Sequence, residues 1–278
     1  RNNEERLYKV VNRKTIVSKP VRIEKLMMKN QRSHQQFSSL LLVSTYDSEV
    51  KIAVPISHNA ICELGDIPRL FWMFPLLKTN DLELPIVIYA PFRVTEDRFN
   101  IKYGDRHIRK LENVLQTAKI LMMELSKWTL KNDFEHKEQL FKIKAPPNDT
   151  PCRIQWIQAL SMLARELSQL KIVEVVKTMI DDSNYDKEFL EPESVYFPSP
   201  LVGSDSFDDA KFLKTIWWLS YHLDLRVPTP SLVKEWNDIR AGWKDLNITV
   251  GNDQTFENIV KEIANLKSLA TLKRSSSV

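Results

Sequence analysis

The sequence is poor in the residues that build compact ligand cradles. Only five of its 278 residues are glycine. None falls in a G-x-G-x-x-G or G-x-x-x-x-G-K pattern, so no stretch offers the backbone phosphate cradle of a dinucleotide or P-loop site. The two cysteines, Cys62 and Cys152, are too few and too far apart for a disulfide framework or a zinc ligand set. A reducing, cytoplasmic compartment is the default expectation. The five histidines, His34, His58, His107, His136 and His222, are scattered. They make no H-E-x-x-H motif or other ligand spacing, and no metal site is expected. No apolar run approaches the ~20 residues of a spanning helix. No signal-peptide pattern is visible, and the chain opens on Arg1 without a methionine, so a piece of a longer protein is expected.

What is present describes a globular chain. Hydrophobic residues make up 43% and charged residues 27%, with length for one large domain or two ordinary ones. The net charge of +4 is mild, and argues only weakly for an anionic partner. Arginines, lysines and aromatics interleave without a single basic helix, which leaves nucleic-acid binding possible but not favoured. The carboxylate pairs Asp181-Asp182 and Asp208-Asp209 fall where turn and capping residues are expected.

The chain is organised around residues 69–101. Two apolar, β-prone runs, at 70–74 and 84–89, flank a polar turn at 78–83. Short continuous runs of this kind fit strands buried on both faces. After the second run the chain turns polar at once, with Pro91, Arg93, Thr95 and Arg98, and then enters a helix. A loop that leaves a buried strand, carries arginines and feeds a helix N-terminus is a common place for anion chemistry. The helix opens near Asp105, and its apolar positions Ile108, Leu111, Leu115, Ala118, Met122 and Leu125 form one stripe. Arg106, Arg109 and Lys110 sit in its first turns, where a cation is unfavourable by roughly 0.3–1 kcal/mol when exposed. They read either as solvated charges or as neighbours of an anion.

Before this centre, residues 37–46 and 50–56 read as a hairpin across Asp47-Ser48-Glu49. The stretch 1–19 is a basic arm or a lead-in strand. After it, 145–151 is the clearest linker, with Thr150 and Pro151 suited to open the next helix. That helix places Ile157, Leu160, Ala164 and Leu167 on one face. Residues 172–179 read as a strand, 181–187 as a polar turn, and 195–197 as a short apolar piece. Ser206 suits the cap of a helix to about Leu223, in which only one of Trp217 and Trp218 can face inward. Thr229-Pro230 and Thr255 open two more helices, and 273–278 is a basic, serine-rich tail. The expected fold is α+β: a mixed sheet covered by helices, then a more helical C-terminal subdomain, divided as 1–144 and 145–278.

The order Phe-Pro-Leu, acidic turn, Leu-Pro-Ile-Val-Ile, then Pro-Phe-x-x-Thr-Glu-x-Arg resembles the middle region of sacsin-like ATPases. These are GHKL relatives of the ninety-kilodalton heat-shock chaperone. The likeness is best over 39–123 and looser, though sequential, to about 269. It implies a transducer domain whose strand-to-helix loop sends a basic residue to the γ-phosphate of ATP. Arg98 best matches that residue, Arg93 is the alternative, and Thr95 belongs to the same segment. By ion pairing, Glu96 or Asp97 could hold whichever arginine is idle, and the competing reading of the loop is a surface salt-bridge loop. ATP and Mg²⁺ would be bound by an upstream GHKL domain of the same chain, leaving this region catalytically silent by itself. A homodimer and a protein client are the other partners implied. The reading that competes from a different class is a non-enzymatic module that binds protein or nucleic acid.

Overall fold

The computed structural model describes residues 8–17, 21–30, 37–97, 99–102, 105–180, 184–199 and 208–265. It is α+β, with a mixed sheet first and a more helical part after it. Two compact units divide between Ala164 and Arg165.

The first unit is built on an eight-stranded sheet. Its strands are β1 (Tyr8–Val17), β2 (Arg22–Asn30), β3 (Phe37–Ser44), β4 (Lys51–Ser57), β5 (Ala60–Ile61), β6 (Leu70–Trp72), β7 (Phe74–Pro75) and β8 (Val87–Tyr89). The order is β1-β2-β3-β4-β8-β6-β7, with β5 beside β4. The pairs are antiparallel except β6 with β8, which is parallel. The β3–β4 hairpin turns across 45–50, as its Asp-Ser-Glu signal requires. The Ser48 hydroxyl accepts the Val50 N–H at 3.0 Å and fixes the turn. The basic stretch at 8–17 is an edge strand; residues 1–7 and 18–20 lie outside the described set.

Helix α1 (Asp105–Lys131) packs on β3 and β4. Leu111, Leu115, Ala118, Met122 and Leu125 are buried, while Glu112, Asn113 and Gln116 are exposed. This is the stripe that the sequence periodicity requires. On the strands beneath, Leu41, Val43, Ile52, Val54 and Ile88 are almost wholly buried. The alternate residues Leu40, Leu42, Ala53, Val87 and Tyr89 are only partly so. The central strands therefore have one buried face, not two. Their continuous apolar runs reflect a second face that stays part-exposed.

Helix α2 (Arg153–Ser168) completes the cover. Trp156, Leu160 and Leu163 line, with Ile86, Ile88 and Met122, a cavity of only about 20 Å³, room for one water at most. This packing explains why the first unit runs to Ala164 rather than ending before residue 145. Pro147, Asn148 and Asp149 are exposed, but Pro146 is buried, and its carbonyl accepts a hydrogen bond from Arg153 Nε at 3.0 Å. Cys152 takes a left-handed φ of 54°, so the helix starts at Arg153 and not at Thr150-Pro151.

The second unit holds the hairpin β9 (Val173–Met179) and β10 (Tyr185–Leu190), then β11 (Tyr196–Pro198), α3 (Asp208–His222), α4 (Val233–Asp245), β12 (Asn252–Gln254) and α5 (Phe256–Asn265). Part of the segment expected as a polar turn is thus the strand β10. Val176, Trp217, Tyr221, Val227 and Val233 form its core cluster. Trp217 is 5% exposed and donates its indole N–H to the Pro228 carbonyl, while Trp218 is 49% exposed. Ser206 and the tail at 273–278 lie outside the described residues. β11 and β12 pair in parallel, tied by an Arg240–Asp253 ion pair at 2.8 Å and the Arg240 guanidinium 4.4 Å from the Phe197 ring centre.

Candidate functional site

β8 is held on both sides. Its residues pair with Lys51, Ile52 and Ala53 of β4. On the other side the Ile88 N–H donates to the Arg69 carbonyl at 2.7 Å and the Ala90 N–H to the Phe71 carbonyl at 3.0 Å. Arg69 anchors this end of the sheet from inside. Its Nε donates to the Leu84 carbonyl at 2.9 Å, Nη2 to Gly65 at 3.0 Å, and Nη1 to Ile67. Burial lowers its pKa from the ordinary value, against the charges of Asp66 and Glu83. The sequence reading assigned Arg69 no role. Its one signal is an arginine set between Pro68 and an apolar strand, where only a chain with carbonyls to offer can bury a guanidinium.

Beyond β8 the buried Ala90 and Phe92 seat the start of the loop. The loop then closes on itself as a short hairpin. The Lys102 N–H donates to the Arg93 carbonyl at 2.6 Å, Val94 bridges Ile101, and the Thr95 N–H donates to the Asn100 carbonyl at 2.9 Å. Side chains lock the tip. Thr95 Oγ1 donates to Asp97 Oδ1 and accepts the Asn100 N–H at 3.2 Å. Asp97 Oδ1 also accepts the Phe99 N–H at 3.1 Å. The Thr95 hydroxyl, then the Phe99 amide, hold the Asp97 carboxyl below the usual aspartate range, and Lys78 adds to this.

Thr95 is thus engaged within the loop, and Asp97 faces Lys78 at 3.9 Å. Arg93 is exposed, and among the described residues its guanidinium has no hydrogen-bond or ion-pair partner. Neither Glu96 nor Asp97 holds it. Arg98 lies outside the described residues. Lys102, Arg109 and Lys110 are exposed as well, while the side chain of Arg106 lies outside the described set. Exposed apolar side chains that sequence reasoning missed are Leu77, 54% exposed, and Phe99, 41% exposed, brought together by the Lys78 N–H donating to the Phe99 carbonyl at 3.0 Å, and, in the β6–β7 turn, Met73, 80% exposed. Met73 has a φ of 60°, which the tight β6–β7 turn imposes. Among the described residues no group of three or more His, Cys, Asp or Glu could hold a metal.

Among the described residues the loop offers the exposed cations Arg93 and Lys102 on a backbone hydrogen-bonded to itself. A guanidinium held in this way is suited to an anion. No known protein family, curated protein or solved structure matches this chain.

Proposed function

We propose that this chain is the middle and following region of a sacsin-like GHKL ATP-binding protein. In this reading, ATP and Mg²⁺ sit in a nucleotide domain outside these 278 residues, and their turnover is coupled to movement of this region. The observation that carries the proposal is the Arg93 guanidinium: exposed, without a partner among the described residues, on a loop whose base is hydrogen-bonded to itself and rooted in β8. A planar guanidinium suits phosphate oxygens. Delivered on domain closure, Arg93 or Arg98 would offset the charge that develops on the transferring phosphoryl group. A contact made only then adds little to initial nucleotide binding and more to turnover.

The test is steady-state ATPase rate and nucleotide affinity of Arg93→Ala and Arg98→Ala in the protein that joins this region to its nucleotide domain. We expect one of them to lower turnover by on the order of 10²–10³ with affinity nearly unchanged. Normal turnover in both, with folding intact, removes the phosphate-sensing role. The alternative would then gain: a non-enzymatic interaction module, for which the neighbouring exposed Leu77 and Phe99 favour a protein ligand over a nucleic acid.

A further inference from the structure

The sheet of the first unit has a second face, and its side chains fall in three rows. Strand register aligns Arg22, Ser44, Lys51 and Tyr89 in one row, and Glu24, Leu42, Ala53 and Val87 in the next. Leu26, Leu40 and Pro55 make the third. Directly paired residues share a face, so these lie opposite the Ile23, Val43, Ile52 and Ile88 row that α1 covers. The apolar members, from Leu26 to Tyr89, are all part-exposed. The middle of the face is thus an apolar strip open to a partner.

Its charge is one-sided. Arg13 and Arg22 keep 53% and 41% of their side chains exposed, and Lys51 lies 5.6 Å from the Tyr89 ring centre. The carboxylate among them, Glu24, is 1% exposed and already shared by both arginines. Among the described residues of these rows and of β1, three cations therefore border the strip against one spent anion. Asp47 and Glu49, the carboxylates nearest to Lys51 in sequence, sit in the β3–β4 turn off the paired strands.

We infer that this face docks an acidic amphipathic helix of a partner protein. A sheet face has its backbone groups paired in the ladder, so it is covered by an element with an apolar stripe, as α1 covers the other side. Three rows span about 13 Å along the strands, the length of roughly nine helical residues. Across β2 to β8 the width is about 14 Å, giving a patch on the order of 200 Å². A stable dimer needs about 800 Å² per partner. A second copy laid face to face would also set these cations against themselves. A short helix with Asp and Glu beside its apolar stripe meets both the size and the charge. This site lies apart from the Arg93 loop and does not depend on the role proposed there.

The experiment selects binders to the full 278-residue chain from a displayed library of helical peptides. All carry leucine at i, i+3, i+4 and i+7, with flanks randomised over Asp, Glu, Lys, Arg and Ser. We expect acidic flanks to be enriched. Binding of a selected peptide should fall at least tenfold with Leu42→Glu, several-fold with Lys51→Glu, and with rising salt. Circular dichroism checks folding, and Val87→Glu replaces Leu42→Glu if the latter misfolds. No enrichment, basic or neutral flanks, or binding indifferent to these variants overturns the proposal. So does self-association abolished by Leu42→Glu, which would give the face to a second copy.

Discussion

At Glu24 a carboxylate is buried beneath two arginines that are not. Arg13 Nε donates to Oε1 at 2.8 Å and Arg22 Nη2 lies 2.8 Å from the same oxygen, with Thr15 Oγ1 at 3.3 Å. The Arg13 hydrogen bond outweighs desolvation and, with Arg22 and Thr15, holds the carboxyl below its ordinary 4.5. A depressed folded-state pKa gives stability that is present above the unfolded value and lost as pH falls through the folded one. The first unit should therefore lose stability below about pH 4.5, and Glu24→Gln should flatten that slope. At neutral pH the same variant should cost roughly 1–3 kcal/mol. That is less than the 3–5 typical of a fully buried pair, because the arginines are solvated. Urea unfolding at pH 4 and pH 7 measures both. An unchanged acid slope in Glu24→Gln would remove the role.

Among the elements, α2 behaves differently from what its sequence neighbourhood suggests. A proline-rich stretch before a helix usually marks a domain boundary. Here the helix beyond the stretch packs Trp156, Leu160 and Leu163 beside Ile86, Ile88 and Met122. Trp156 is wholly buried, and burying such a side chain is worth about 1.5–3 kcal/mol. Proteolysis should cut at the exposed residues Pro147, Asn148 and Asp149, yet the fragments should co-elute on gel filtration until denaturant is added. Separation without denaturant would show that α2 does not hold to the first unit.

For the whole molecule, two cores imply two cooperative units. The first is the α1-covered sheet, and the second is centred on Trp217, Tyr221 and Val227. Gly251 is a probe of the second. Its φ is 69°, and an added Cβ would lie 2.3 Å from Phe197 Cε2 and 2.8 Å from the Pro192 carbonyl. Phe197 is itself fixed against Trp236, with ring centres 5.9 Å apart. Gly251→Ala should therefore cost roughly 2–5 kcal/mol, from a left-handed residue plus overpacking. In calorimetry or urea titration it should move one unfolding transition, and Glu24→Gln the other. A single transition that both variants shift equally would mean that the two cores unfold as one.

The sequence by itself determined the elements with a strong local period. The α1 stripe, the β3–β4 hairpin with its Asp-Ser-Glu turn, and the fact that only one of two adjacent tryptophans faces inward all follow from spacing along one element. So does the position of the arginine loop between a central strand and a helix. Partners distant in sequence were decided only by the tertiary structure. β12, Asn-Asp-Gln, carries no apolar signal and exists because β11 offers it a parallel ladder. The stretch 181–187 reads as a turn, yet β10 begins within it at Tyr185 because β9 lies antiparallel to it. An apolar run does not say how many of its faces will be covered, so β8 looked buried on both sides and is buried on one. Nor does the sequence say which carboxylate answers which cation. Asp97 faces Lys78 and leaves Arg93 open, because the Thr95 and Phe99 hydrogen bonds orient Asp97 within its own loop.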